Sequence, residues 1–234
     1  MIPRSLTPLA VLATAVLGCS NSSTGPTYNP QLPTVWASAV TNPYFPLVSG
    51  TVYQYSGQTS SGVETVTTTV LAAPRTVNGV ASTEVHDEVF LDGALIEDTY
   101  DWYAEDSAGN VWYLGEDSKT YSNGQITGTA GSWEWGVNGA LPGIQMWADP
   151  SAHLGELYRQ EFSKGVAQDL GKVIGLAQSI VVPAGSFTGC VKTEDKNELK
   201  PNEALENKVY CPQLGLVSSV DLGDPPLELT SYTP

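Results

Sequence analysis

The stretch spanning residues 97–117, EDTYDWYAEDSAGNVWYLGED, leaves little freedom about fold class. Ile96, Asp98, Tyr100, Trp102 and Ala104 alternate with Glu97, Thr99, Asp101, Tyr103 and Glu105, and a period of two belongs to a β-strand whose side chains point to opposite faces. Asp106-Ser107-Ala108-Gly109 reads as a turn, with Gly109 supplying positive φ. Residues 110–116 then return with Val, Trp, Tyr and Leu, which suit a pleated surface, so a long antiparallel hairpin is predicted. Asn78-Gly79, Asp92-Gly93 and Asn123-Gly124 are further two-residue hairpin turns, with β-branched or alternating runs between them. Together they describe a meander.

The later chain continues the theme. Residues 157–162, 180–182, 186–194, 207–211 and 214–222 supply strands, and 227–232 a closing one. Residues 165–180 carry a helical stripe of Val166, Leu170, Val173, Ile174 and Ala177, but Gly165, Gly171 and Gly175 oppose a helix and favour strand. Residues 131–149, rich in glycine and tryptophan, read as a long ordered loop. The expectation is an all-β domain, an antiparallel meander closing into a barrel or sandwich with at most a short helix.

The N-terminus is of another kind. MIPRSLTPLAVLATAVLGC has one arginine, an apolar run too short to span a bilayer, and small residues before Cys19. Val16-Leu17-Gly18-Cys19 resembles the lipobox of bacterial lipoproteins. That resemblance implies a signal peptide over residues 1–18, a diacylglyceryl group on Cys19 and a membrane partner reached through lipid. Ser20, in place of Asp, fits delivery to the outer membrane of a cell envelope. Residues 19–34, rich in Ser, Asn and Pro, read as a tether, and residues 35–234 as one β-rich domain. With Cys19 assigned to lipid, Cys190 and Cys211 form an even pair in an exported chain, and a disulfide is predicted.

The net charge of −15, from 25 acidic against 10 basic side chains, excludes the basic face that nucleic-acid binding requires. Between Arg75 and Lys119 there is no basic residue at all, yet Glu84, Asp87, Glu88, Asp92, Glu97, Asp98, Asp101, Glu105, Asp106, Glu116 and Asp117 fall there. Mutual repulsion in such a run raises carboxyl pKa values or is relieved by a cation, so Glu84, His86, Asp98, Asp101 and Glu116 are a candidate metal set with Ca²⁺ as the candidate cofactor. The odd spacing of Asp98 and Asp101 places them on opposite strand faces. Solvated strand faces explain the same run without any ion.

No nucleophile elbow, Ser-x-x-Lys or His-Glu-x-x-His motif occurs. Trp102, Trp112, Trp133 and Trp135, with Glu134 between the last two, are candidate ligand-binding residues, because aromatic faces stack on sugars and loops carry recognition groups. Core packing accounts for many of the same rings. The reading is a non-catalytic binding or structural module whose partner is a glycan or an envelope protein. The alternative is a glycan-directed hydrolase using two carboxylates, with Glu97, Asp101, Glu116, Glu134 and Glu161 as candidates.

The chain carries Asn42-Pro43-Tyr44-Phe45-Pro46-Leu47, the block DWYAEDSAGNVWY at residues 101–113, Gly131-Ser132-Trp133, Pro142-Gly143-Ile144, Tyr158-Arg159-Gln160-Glu161 and Lys208-Val209-Tyr210. In these the chain resembles a family of secreted bacterial β-rich proteins with a DWYAxDxxGNVWY motif. The resemblance covers most of the domain and implies a β-rich fold, with no reaction, ligand or catalytic residue attached. The cysteine pair departs from it.

Overall fold

The computed structural model describes residues 28–234, so Cys19 and the expected signal peptide lie outside the described residues. The first half of the domain carries β1 (Val52–Thr59), β2 (Gly62–Val70), β3 (Arg75–Val77), β4 (Val80–Leu91), β5 (Ala94–Glu105), β6 (Val111–Ser122), β7 (Gln125–Gly128), β8 (Trp133–Glu134) and β9 (Leu141–Met146). After a single 3-10 turn, Pro150–His153, come β10 (Leu157–Arg159), β11 (Glu161–Phe162), β12 (Asp169–Val182), β13 (Gly185–Asn197), β14 (Glu206–Cys211), β15 (Gly215–Asp221) and β16 (Leu227–Thr233). The predicted hairpin is β5–β6. The Asn78-Gly79, Asp92-Gly93 and Asn123-Gly124 pairs all have positive φ at both positions, the backbone of primed hairpin turns.

The strands form one antiparallel sheet in the order β10-β12-β13-β14-β15-β16-β1-β2-β4-β5-β6-β9-β11. Its two end strands are adjacent in sequence. β10 pairs with β12 through Tyr158 opposite Gly171, and β11 pairs with β9 through Glu161 opposite Pro142. Gln160 alone separates them, and its amide donates to the Asp169 carbonyl at 2.9 Å. The sheet is thereby curled nearly into a closed barrel, stitched by one bent segment. Gly143 is required at this crossing, because a Cβ there would lie 2.4 Å from the carbonyl carbon and oxygen of Gln160.

Two expectations need correction. Residues 157–162, expected as one strand, are two strands bonded to opposite edges, since the chain bends at Gln160. Residues 131–149, expected as a loop, contain β8 and β9, and β9 is a full member of the ring. Its Pro142 and Gly143 disguise it in sequence, yet both suit a position where another strand crosses at close range. Part of the expected tether is also packed. The Tyr28 hydroxyl donates to the Pro142 carbonyl at 2.8 Å, and its ring lies 5.5 Å from that of Phe162.

A cover closes the barrel end that carries the β5–β6 and β14–β15 turns. Ala37 N–H donates to the Glu105 carbonyl at 2.8 Å, the Glu105 carboxylate accepts from the amides of Thr41 and Asn42, and the Asn42 side-chain amide donates to the carbonyls of Gly109 and Trp147. On the far side, Gln213 N–H donates to the Pro43 carbonyl at 2.7 Å. Phe45 is thus held over the barrel mouth, 5.0 Å from the Tyr103 ring and 6.1 Å from that of Tyr210.

Candidate functional site

Alternation along β5 sends its acids inward. Glu97, Thr99 and Asp101 are all buried, while Asp98 and Tyr100 point outward. Register then assembles a polar wall: Asp101 stands opposite Glu116 on β6 and Val85 on β4, and Thr99 opposite Ser118 and Asp87. Neighbouring hydroxyls serve these carboxyls. Tyr113 donates to Asp101, Thr68 to Asp87, and Thr99 bonds both Glu97 and Ser118. Burial pushes the carboxyls of Asp87 and Glu97 up to about 7, with Asp101 adding to the shift of each. Glu116 is raised well above the carboxylate range by burial and by the nearby charges of Glu161 and Asp101.

Across the interior the chemistry changes. The Trp133 indole donates to Glu161 at 2.7 Å, yet burial and Asp169 still push the Glu161 carboxyl up to about 8. Lys208, which is 2 % exposed, sits 2.8 Å from Asp195 and 2.9 Å from Glu206. Burial works against its charge, but those two carboxylates hold its pKa well above the ordinary lysine value. Beside this triad, buried oxygens of Gln145, Tyr158, Gln160, Asp169, Thr193 and Asp195 have no hydrogen-bond partner. The side chains of Gln160 and Tyr158 occupy the inward space at Gly171, within 2.8 Å of where a Cβ would be. Orphaned buried acceptors of this kind cost free energy unless a donor reaches them.

Between the two walls, beneath Phe45 and Leu47, lies a cavity of about 80 Å³. Tyr53, Tyr55, Tyr103 and Tyr210 surround it, with Asp87, Thr68, Gln145, Glu206, Lys208 and Ser219 as its polar lining. Gln145 Nε2 donates to the Tyr210 hydroxyl at 3.4 Å and leaves Oε1 orphaned. The lining can therefore accept hydrogen bonds and place aromatic faces around a small guest.

The tryptophans named from sequence are buried by their own chain. Trp102 is 2 % exposed, with the Arg75 guanidinium 3.9 Å from its ring and its indole N–H 3.4 Å from Glu84. Trp112 donates to Asp106 and packs against Trp36, which also meets Trp135. Trp133 points inward to Glu161, and Glu134 points outward to an ion pair with Arg75 at 2.8 Å. The candidate metal set is split by the sheet. Glu84, His86 and Asp98 are on the outer face, where His86 lies 3.1 Å from Asp98 and stacks on Tyr100, while Asp101 and Glu116 face the interior. Among the described residues no group of three or more His, Cys, Asp or Glu side chains is arranged to hold a metal ion. Cys190 and Cys211 are disulfide-bonded, joining β13 to β14. Asp87, Gln145, Lys208 and Tyr210 were not singled out from sequence. The available signal was Lys208-Val209-Tyr210 within an alternating strand, which puts a lysine and a tyrosine on one face.

No protein-family model matches the chain, and no curated protein does. Two solved structures resemble it. One is a protein described as exported, with a YmcC-like fold, from Bacteroides fragilis: 13% identical, TM-score 0.49, covering 82% of this chain and 100% of that one. The other is a protein described as a lipoprotein from Parabacteroides distasonis: 14% identical, TM-score 0.38, covering 82% and 99%. Likeness at this level transfers no site.

Proposed function

We propose that the chain is a lipid-anchored protein of the bacterial cell envelope that acts by binding, and that the barrel interior beneath Phe45 is its binding compartment. The observation that carries this reading is Gln145, a residue 2 % exposed that lines the cavity and whose Oε1 is left without a donor. The lipobox-like Cys19 supports the anchor, and the cysteine pair fits an oxidising compartment. Hydrolysis of a glycan fits poorly: of the candidate carboxyls Glu97, Asp101, Glu116 and Glu161 lie inside the barrel and Glu134 is paired with Arg75 outside it, and a cavity of about 80 Å³ is roughly half the size of one that holds benzene. The test has two parts. Cys19→Ser is expected to move the protein from the membrane fraction to the soluble fraction, and native mass spectrometry of the membrane-extracted chain is expected to show a small adduct lost on unfolding. A protein that carries no adduct and takes none up contradicts the interior site.

One observation favours a second reading, glycan recognition at the surface. A groove of about 550 Å³ runs between residues 31–35 and the Asp106–Asn110 turn, walled by Trp112 and Trp147. The Trp147 indole N–H there has no partner. Trp147→Ala is expected to abolish binding on an array of envelope glycans, and retention of binding sinks this reading.

A further inference from the structure

We propose that the cavity beneath Phe45 is a site for a small organic cation, a primary ammonium of a few heavy atoms, caged by Phe45, Tyr55, Tyr103 and Tyr210 and hydrogen-bonded to Asp87 and Gln145. This inference rests on the interior-binding reading and supplies its ligand class. The rings come first. Aromatic faces enclosing a space attract cations through their quadrupoles, and most strongly where water is excluded. Phe45 meets both Tyr103 and Tyr210 at the mouth, and Tyr55 is held in place by the bond from its hydroxyl to the Leu216 carbonyl at 3.0 Å.

Hydrogen-bonding capacity decides the sign of the guest. Gln145, which lines the cavity, has an unpartnered oxygen, Oε1, and amide or carboxyl oxygens of Gln160, Asp169, Asp195 and Asn207 are unpartnered as well. An ammonium brings three donors and no acceptor, which is the complement of such a lining. An anion has no cation left to meet, because Lys208 is engaged by Asp195 and Glu206. A metal ion needs converging ligands, and among the described residues no three His, Cys, Asp or Glu side chains are arranged to hold one.

Charge points the same way. Asp87 lines the cavity, accepts from Thr68 and has Asp101, Tyr55 and Tyr103 as its interior neighbours. Its carboxyl, pushed by burial to about 7, gives up its proton at pH 8 and leaves a buried negative charge for the ammonium to neutralise. The volume of about 80 Å³ limits the guest to a headgroup or a very small amine.

The test uses the full chain in non-ionic detergent at pH 8, with methylammonium chloride as the probe and saturation-transfer NMR on its methyl signal as the readout. Sodium chloride at equal ionic strength, sodium acetate and methanol serve as counterparts. Methylammonium is expected to receive saturation and, at ten times its Kd, to raise the melting temperature by roughly 3–5 °C over the salt control. Asp87→Asn is expected to weaken binding at least about tenfold, and Gln145→Met, which keeps the carboxyl, by roughly three- to tenfold. The second variant keeps the test decisive if the first misfolds. Binding of methanol or acetate without methylammonium overturns the ligand class while leaving interior binding intact. Silence from every probe overturns both readings. Methylammonium binding that neither variant alters overturns the placement of the site.

Discussion

The two walls of the barrel interior meet the same problem, buried acid, in different ways. On the β4–β6 wall, Asp87, Glu97 and Asp101 each receive a hydroxyl donor from Thr68, Thr99 or Tyr113. That wall is a hydrogen-bonded network eased by protonation. On the wall running from β9 through β10 to β14, one buried lysine serves two carboxylates while oxygens of Gln145, Gln160, Asp169 and Asp195 stay unpartnered. The contrast teaches where function is to be sought. A satisfied wall on its own gives no sign of a guest; an unsatisfied one is costly to folding and calls for one.

Removing the central cation is the most drastic way to break this contrast. Lys208→Met leaves Asp195 and Glu206 buried without a counter-charge and is expected to cost about 3–5 kcal/mol, visible in urea denaturation. A loss below about 1 kcal/mol would mean that solvent, not Lys208, serves those carboxylates. The disulfide lies on the same side of the ring. Replacing Cys190 and Cys211 by Ala opens a loop with a sequence separation of 21 and is expected to cost about 3 kcal/mol, read the same way.

Acidity acts on both walls. The raised pKa values of Asp169, Asp87, Glu97 and Glu161, about 6, 7, 7 and 8, mean that the folded chain holds protons more tightly than the unfolded one. Their contribution is fully present below the unfolded value near 4 and is lost as pH rises through about 6 to 8. One such group accounts for about 2–3 kcal/mol between pH 5 and pH 8, so the melting temperature is expected to fall by roughly 5–10 °C over that range. A melting temperature that rises with pH would show these acids ionised in the folded state. The smallest effect belongs to a single hydroxyl: Thr99→Val is expected to cost about 1 kcal/mol, since one neutral donor is lost from a wall that keeps others.

Much of this architecture was legible in the sequence because turn chemistry and alternation are local. Asn78-Gly79, Asp92-Gly93 and Asn123-Gly124 announced three hairpins, and the alternation of β5 separated Asp98 from Asp101 correctly. What alternation does not reveal is which face becomes the inside. The run Glu97, Thr99, Asp101 looks like a solvent face, yet it is the buried one, because the curled sheet encloses it. The cavity was illegible for a related reason. Asp87, Gln145 and Tyr210 come from β4, β9 and β14, and only ring closure brings them to one space. The burial of the tryptophans was illegible too, since a ring's size says nothing about whether its own chain will cover it.

The stitch at Gln160 bears on how such a protein reaches its final form. The ring is joined twice, once where the last strand, β16, meets the first, β1, and once in mid-chain where β10 and β11 grip opposite edges. Neither joint is local, so most strands are in place before either can lock. A chain folding from its N-terminus therefore passes through a stage in which β1 and β9 carry bare edges, open to pairing with a second copy. Refolding is expected to slow and to aggregate more readily when residues 157–162 are loosened, for instance by Gln160→Gly. Assembly is then a race between closing the ring and meeting another open one.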